Sequence, residues 1–402
     1  MTEWINACFI RGGTSKGLFF NAADLPADDA DRDAALCHVM GSPDPHGRQL
    51  NGMGGGISSL SKVMLVTAST REGFDVDYTF GQVEVGIDHI DYSGNCGNLS
   101  SGVIPFALEA GIISSPDGQQ EFQLFNTNTS KTVTVTLEVV NGRAAPAGAA
   151  TSGSATSGAV ELPGVAGTGS PIQLSYPSPA GSRTAGLLPT GSPTNVLDDD
   201  GSAITVSLVD STLPVIIVRA ADVGLSGTEL PGEIDANRPA MALLERLRQA
   251  GAAAMGFQTC PEVVPKIAVI APPQDSTTLD GADLDADSVD IMVRMISMGK
   301  AHLAVPGTGA MCLAAAAAVP GTLVSDITGH HSTEQSSEQS TEQSTEHSTE
   351  HSTEHSIVRL GTPSGAVIAA ADYADGELAS TTLIRTARIL MRGQVPLDSD
   401  RA

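Results

Sequence analysis

Two glycine-rich turns, each leading into an apolar helix, constrain this chain more than any other feature. The first is Ser93-Gly94-Asn95-Cys96-Gly97-Asn98 and the second is Pro306-Gly307-Thr308-Gly309-Ala310. In such turns small residues let the backbone approach a ligand, and the N–H groups of the following helix offer donors to an anion. A repeat of this kind implies two related halves that share one site. Moving a proton between the two faces of a carbon commonly takes two acid/base groups, one from each half. Here the first turn carries a thiol, and the second carries proline where the other thiol is expected.

The chain has 402 residues and 41% hydrophobic content, enough for two domains with real cores. Its formal charge of −25 excludes a nucleic-acid partner, because phosphate binding needs a basic field. Any anionic substrate must be met by a local group of cations. Lysine occurs only as Lys16, Lys62, Lys131, Lys266 and Lys300, so those near glycine-rich motifs carry extra weight. The five cysteines are odd in number and widely spaced, which favours free thiols and no metal site. Met1 to Gly13 lacks a signal pattern, and the longest apolar run, Ala310 to Val319, is about half the ~20 residues of a membrane span. The expectation is a soluble, cytoplasmic protein with no membrane association.

Alternation and turn residues predict strands at Ala7–Ile10, Lys62–Thr67, Val76–Phe80, Val83–Ile87, Phe122–Asn126 and Thr132–Val140. Further strands are expected at Ala203–Val209, Pro214–Arg219, Lys266–Ala271 and Asp290–Met295. Helices are expected at Asp28–Met40, Leu99–Glu109, Pro239–Ala253 and Ala310–Ala318. Residues 145–157 are too poor in large apolar groups to pack and read as a surface loop. Residues 331–356 form a tandem (His/Gln)-Ser-(Thr/Ser)-Glu repeat, expected as a disordered insert before a strand at Ile357. In a helix its four-residue step would stack His347, His351 and His355, but low-complexity expansion accounts for the same residues.

Arg11-Gly-Gly-Thr-Ser-Lys-Gly17 gathers two cations, two hydroxyls and three glycines. A phosphate loop needs Gly-Lys-Ser/Thr in that order, and here the hydroxyls precede the lysine. Its functional reading is carboxylate binding through Arg11, Ser15 and Lys16; its structural reading is a turn between strands. Gly52-Met-Gly-Gly-Gly56 lacks the glycine that a dinucleotide fingerprint needs at position 57, where Ile57 stands. Beyond it, Ser58, Ser59, Ser61 and Lys62 precede an apolar strand, and a partly desolvated lysine there suits a general base as well as a plain strand start. Cys96 stands before a helix, where the thiolate is favoured, although free cysteines are also common as buried hydrophobes. Cys8, Cys37 and Cys312 read as packing residues. His302, just before the second turn, is either an anion donor or structural.

Together these runs resemble the 2-methylaconitate cis-trans isomerase (PrpF) family, within the diaminopimelate epimerase-like fold. The resemblance rests on Arg11–Gly17, Met40-Gly-Ser-Pro-Asp-Pro-His-Gly47, Asn51-Gly-Met-Gly-Gly55, Ser58–Lys62, Asp75-Val-Asp-Tyr78 and Ser93–Asn98. It continues through Gly186-Leu-Leu-Pro-Thr-Gly191, Thr308–Ala310, Pro320-Gly-Thr322, Gly361–Gly365 and Arg385–Gly393. It implies an α/β (α+β) chain of two pseudo-symmetric halves, each a curved sheet around a central helix, with the active site in the cleft between them. The halves are expected at 1–183 and 184–383, with a strand from 384–402 returning to the first and the repeat insert in the second. The resemblance also implies Lys62 and Cys96 as catalytic residues. Arg11, Ser15, Lys16, Asn95, Gly97, Asn98, Thr308 and Gly309 would hold the substrate, a small polycarboxylate, without metal, nucleotide or pyridoxal cofactor. The activity so implied is a proton shift like that of 2-methylaconitate isomerases, with 4-oxalomesaconate tautomerase or a non-catalytic carboxylate-binding protein as alternatives. A homodimer is left open.

Overall fold

Parallel strands cannot be joined by a tight turn, and this rule organises the whole chain. The structure is a computed structural model describing residues 3–148, 159–199, 201–260, 262, 264–329 and 353–397. It divides into two compact units, Met1–Ser175 with Ile384–Ala402, and Tyr176–Leu383.

In unit 1 the strands neighbour one another in the order Ala387–Leu397, Glu3–Gly12, Ser15–Asn21, Lys62–Ala68, Val76–Val83, Gly118–Asn126 and Lys131–Val140. Two of these pairings are parallel, Ser15–Asn21 with Lys62–Ala68 and Val76–Val83 with Gly118–Asn126. Each is reached by a helical crossover. The first crossover carries α1 (Asp29–Met40) and the second carries α2 (Gly97–Ser100) and α3 (Val103–Glu109). Helix α1 starts where Asp28 Oδ1 accepts from the N–H groups of Ala30 (2.9 Å) and Asp31 (3.1 Å), and it stops at Gly41 with φ 81°. Its Leu36, Cys37 and Met40 pack with Leu18, Val63 and Leu65 on one face of the sheet. On the other face Phe106 of α3 lies 5.7 Å from the Phe19 ring.

Unit 2 has the order Asn195–Asp199, Ser202–Ser211, Leu213–Arg219, Lys266–Ala271, Ile291–Ser297, Thr353–Thr362 and Gly365–Ala374. The sequence of parallel and antiparallel pairings is the same as in unit 1. Helices α4 (Pro231–Ala236) and α5 (Arg238–Ala254) fill the first crossover, and α6 (Gly307–Ala317) and α7 (Leu323–Thr328) fill the second. Every residue of α6 from Gly309 to Ala317 is buried, as a helix apolar on all sides requires. Val209, Ile217, Ala268 and Met295 surround it, while α5 packs on the opposite face against Ile216, Ile267 and Met292.

Three expectations need correction. Val83–Ile87 is not a strand. The chain bends after Val83, with Glu84 N–H donating to the His89 carbonyl at 3.0 Å, so that Ile90–Asp91 can pair back on Gln82 and Val83. The predicted Leu99–Glu109 helix is two helices. Pro105 has no N–H to continue the ladder from Ser101, and Gly102 sits where a Cβ would come within 2.8 Å of Phe19. The last repeat of the tandem tract belongs to the strand Thr353–Thr362 and not to an insert, with His355 opposite Asp372 and Ser356 opposite Ala371. His347 and His351 lie outside the described residues, as does most of the predicted 145–157 loop. Among the described residues no helix is long and apolar enough to cross a membrane.

Candidate active site

Alternation along the strand decides which way Lys62 points. Val63 and Leu65 join the α1-side core, so Lys62, Met64 and Val66 face α2 and α3, together with their cross-strand partners Gln82, Phe80 and Tyr78. Lys62 is only 7% exposed. Its Nζ donates to Oε1 of Gln82 and stands 4.9 Å from the centre of the Phe80 ring. Gln82 is itself held, its Nε2 donating to the Ser61 carbonyl at 2.9 Å. The partner of this buried amine is thus a neutral amide and not a carboxylate.

The Cys96 turn packs on the same face. Cys96 is half-buried and caps α2 in extended conformation, φ −110° and ψ 93°. Its carbonyl accepts from Ser100 N–H at 3.0 Å and from Ser100 Oγ at 3.1 Å. Asn95 Oδ1 accepts from the Tyr78 hydroxyl at 3.3 Å and from Asn126 Nδ2 at 3.2 Å. Tyr78 is fully buried, and burial pushes its phenol above the usual range, which keeps it a neutral donor. Asn98 Nδ2 donates to Thr14 Oγ1 at 3.0 Å, and Asn98 Oδ1 accepts from Arg385 Nε at 3.2 Å. Gly12 and Gly13 are required here: a Cβ would meet Asn98 O at 2.6 Å or Asn98 Oδ1 at 2.3 Å, and Gly13 has φ +52°.

Ser15 is buried and pairs with Gly12, so it shares the face of α2. Lys62, Ser15, Asn95, Cys96, Gly97 and Asn98 are therefore brought to one side of one sheet. Lys16 is not. It follows Ser15 in the strand and so points to the α1 side, where its Nζ lies 5.4 Å from the Phe9 ring. Arg11 acts as a brace: its Nη1 donates to the Thr386 carbonyl at 2.6 Å and to Thr386 Oγ1 at 2.7 Å. Burial first, and the charge of Arg388 second, hold its pKa below the usual range.

Thr308 and Gly309 belong to unit 2. Pro306 caps α6 with φ −55° and ψ 142°, and the Thr308 carbonyl accepts from Thr212 Oγ1 at 2.9 Å. Gly309 is buried, and a Cβ there would stand 2.6 Å from Met295 Cε. Cys312, one turn further, is fully buried, which raises its pKa, and its thiol contacts the Val209 carbonyl at 3.6 Å.

Three residues that support the site carry no assigned role in the sequence reading. Gln82 and Tyr78 are the cross-strand neighbours of Lys62 and Val66, a relation set by long-range pairing. Gln49 is 1% exposed and has φ 53°. It donates to Ser42 Oγ at 2.9 Å and Ser61 Oγ at 2.7 Å, and it accepts from Gly56 N–H at 2.9 Å. It thereby ties the Met40–Gly47 and Asn51–Gly55 motifs to the start of the Lys62 strand. A buried glutamine between two glycine motifs was the available signal.

The sequence profile of the family described as "PrpF protein" matches residues 2–342. A 2-methyl-aconitate isomerase of Cupriavidus necator is 36% identical over 98% of this chain and 98% of its own length. A (4E)-oxalomesaconate Delta-isomerase of a Novosphingobium species is 35% identical over 96% of both chains. Among solved structures, that of a methylitaconate-delta-isomerase superposes with a TM-score of 0.82 at 33% identity, covering 98% of this chain and 96% of the other.

Proposed function

The chain belongs to the PrpF family and is an isomerase, and on that premise we propose that it moves a proton within an unsaturated di- or tricarboxylate, 2-methylaconitate first among them. The observation that carries this reading is the buried Lys62 beside the Cys96 turn, paired with a neutral amide. A desolvated amine so placed is suited to take and return a proton.

Lys62 removes the acidic proton from a carbon conjugated through a double bond to a carboxylate. The electron pair spreads into that system as a dienolate-like anion. Rotation about the bond that has lost double-bond character, followed by return of a proton, gives the isomer with no net change in composition. Cys96 serves as second proton carrier or steering group. Ser15 and Asn98, with the N–H groups of Gly97 and Asn98, stabilise the developing charge. Gln82 keeps the amine aimed, and the Phe80 ring packs beside it.

The oxalomesaconate isomerase is nearly as similar as the 2-methylaconitate enzyme, so a second substrate belongs in the same assay. Turnover of 2-methylaconitate, methylitaconate and oxalomesaconate followed by proton NMR in deuterated water tests the proposal. We expect isomerisation of 2-methylaconitate with deuterium entering the product. No turnover on any of the three would leave a carboxylate binder and defeat the reading.

A further inference from the structure

Two sequence runs that the mechanism leaves idle, Gly52–Gly56 and the serines after it, converge on the partner of Lys62. Gly55 N–H donates to the Leu60 carbonyl at 3.2 Å, and Leu60 N–H donates to the Ile57 carbonyl at 2.9 Å. The chain folds back on itself here, and the bend suits glycine. A Cβ on Gly55 would stand 2.8 Å from the Leu60 side chain, and Gly56 has φ +73°. The bend sets the short turn Ser58–Leu60 just ahead of the Lys62 strand. From that turn the Ser58 hydroxyl donates to Oε1 of Gln82 at 3.0 Å, and Gln82 is the residue paired with Lys62 in the ladder.

Every hydrogen-bonding position of the Gln82 amide is then filled. An amide oxygen has two acceptor positions and an amide nitrogen two hydrogens. Oε1 accepts from Lys62 Nζ and from Ser58 Oγ, while Nε2 donates to the Ser61 carbonyl at 2.9 Å and the Ser58 carbonyl at 3.3 Å. The two carbonyls can only accept, so they fix which end of the amide faces the lysine. Ser61 is itself held: it is buried, its carbonyl also accepts from Val83 N–H at 3.0 Å, and its hydroxyl donates to the Val83 carbonyl at 2.8 Å. Among the described residues Gln82 is the one hydrogen-bond partner of Lys62 Nζ, so whatever fixes Gln82 fixes the amine. We propose that Ser58 is a positioning residue for Lys62, acting through Gln82, an inference that rests on the proposed role of Lys62 as the base. By taking the second lone pair of Oε1, Ser58 leaves the amine one acceptor position and hence one direction. An amide does not titrate, so the hold is the same before and after Lys62 takes up a proton. A carboxylate at the same place would favour the charged amine and retain that proton.

A double-mutant cycle tests this. Ser58→Ala should lower kcat on 2-methylaconitate about three- to tenfold, the worth of one neutral hydrogen bond, with KM unchanged. Ser58→Thr keeps the hydroxyl and should restore most of the loss. In a Gln82→Met background, Ser58→Ala should have no further effect, because the contact it removes is already gone. Losses that multiply, or a loss expressed in KM, would place Ser58 on the substrate and overturn the proposal; so would an unchanged kcat. A readout without turnover comes from the full chain carrying 13C at lysine Cε, in which Lys62→Arg identifies one of five signals by its loss. Ser58→Ala should shift the Lys62 signal and leave that of Lys131 in place, and Gln82→Glu should move the Lys62 titration to higher pH. A Lys62 signal indifferent to either change overturns the proposal. If no substrate is turned over, the proposed function fails on its own, and the Lys62 signal still decides whether Ser58 positions the amine.

Discussion

The Cys96 turn of unit 1 and the Pro306 turn of unit 2 occupy the same place in two repeats of one topology, yet they are built on different principles. The first rests on polar contacts: Tyr78, Asn126 and Ser100 hold Asn95 and the Cys96 carbonyl, and α2 ends after four residues. The second has one such contact, from Thr212 to the Thr308 carbonyl, and otherwise rests on shape. Pro306 leads into an unbroken eleven-residue helix buried on every side, and Gly309 fits against the Met295 side chain. A hydrogen-bonded turn fixes the direction of a reactive group, whereas an apolar one fixes only the backbone. The repeat has therefore kept its scaffold in both units, and the proposed function assigns its proton chemistry to one.

Lys62→Ala offers the strongest way to break this comparison. Turnover should fall by roughly 10²–10⁴-fold, the share of a positioned acid/base group, with the circular dichroism spectrum unchanged. Near wild-type turnover would mean that the chemistry does not reside at the unit 1 lysine. Cys96→Ser sharpens the point with a smaller loss, because the second turn carries proline and offers no paired thiol, which leaves the transfer to Lys62 in the proposed function. We expect partial turnover and continued entry of solvent deuterium through Lys62; abolition of both in a folded variant would make the thiol obligatory.

The two turns should also respond differently to a single methyl group. Gly12→Ala drives a Cβ to within 2.6 Å of the Asn98 backbone oxygen, which cannot move away, and should cost about 1–3 kcal/mol by urea unfolding. Gly309→Ala meets the flexible end of Met295 and should cost less. Equal losses would contradict the distinction between a rigid polar turn and an adaptable apolar one. The smallest effect should come from excising residues 331–352, which contain no large apolar side chain, and rejoining the ends through a short linker. Loop length costs little entropy, so melting temperature and turnover should stay near wild type. The excision must spare Thr353 onward, because that stretch is paired strand; a large loss from the shorter deletion would show that the repeat binds or packs.

Local signals were readable where the physics is local. Asp28 before an acidic turn and Gly41 after Met40 mark α1, and the run Lys266–Ala271 is a strand at the predicted bounds. Gly102 and Pro105 were visible in the sequence, but that they split a helix depends on Phe19 lying opposite. The placement of Lys16 was missed because a motif read as a string hides the alternation that sends Ser15 and Lys16 to opposite faces. The placing of Gln82 and Tyr78 beside the Lys62 strand depends on which strands pair, and no spacing along the chain encodes that.

The pairing of Glu3–Gly12 with Ala387–Leu397 has a consequence for the birth of the molecule. At roughly 5–20 residues per second, a ribosome needs tens of seconds after making the first of these strands to deliver the second. Throughout that interval the strand that will carry Arg11 has one edge without its partner, and the Thr386 acceptors that brace Arg11 do not yet exist. The seven unit 2 strands from Asn195–Asp199 to Gly365–Ala374 are all synthesised before Ala387–Leu397, so the unit that lacks Lys62 can close its sheet first. The half that carries Lys62 and Cys96 is the last to be completed.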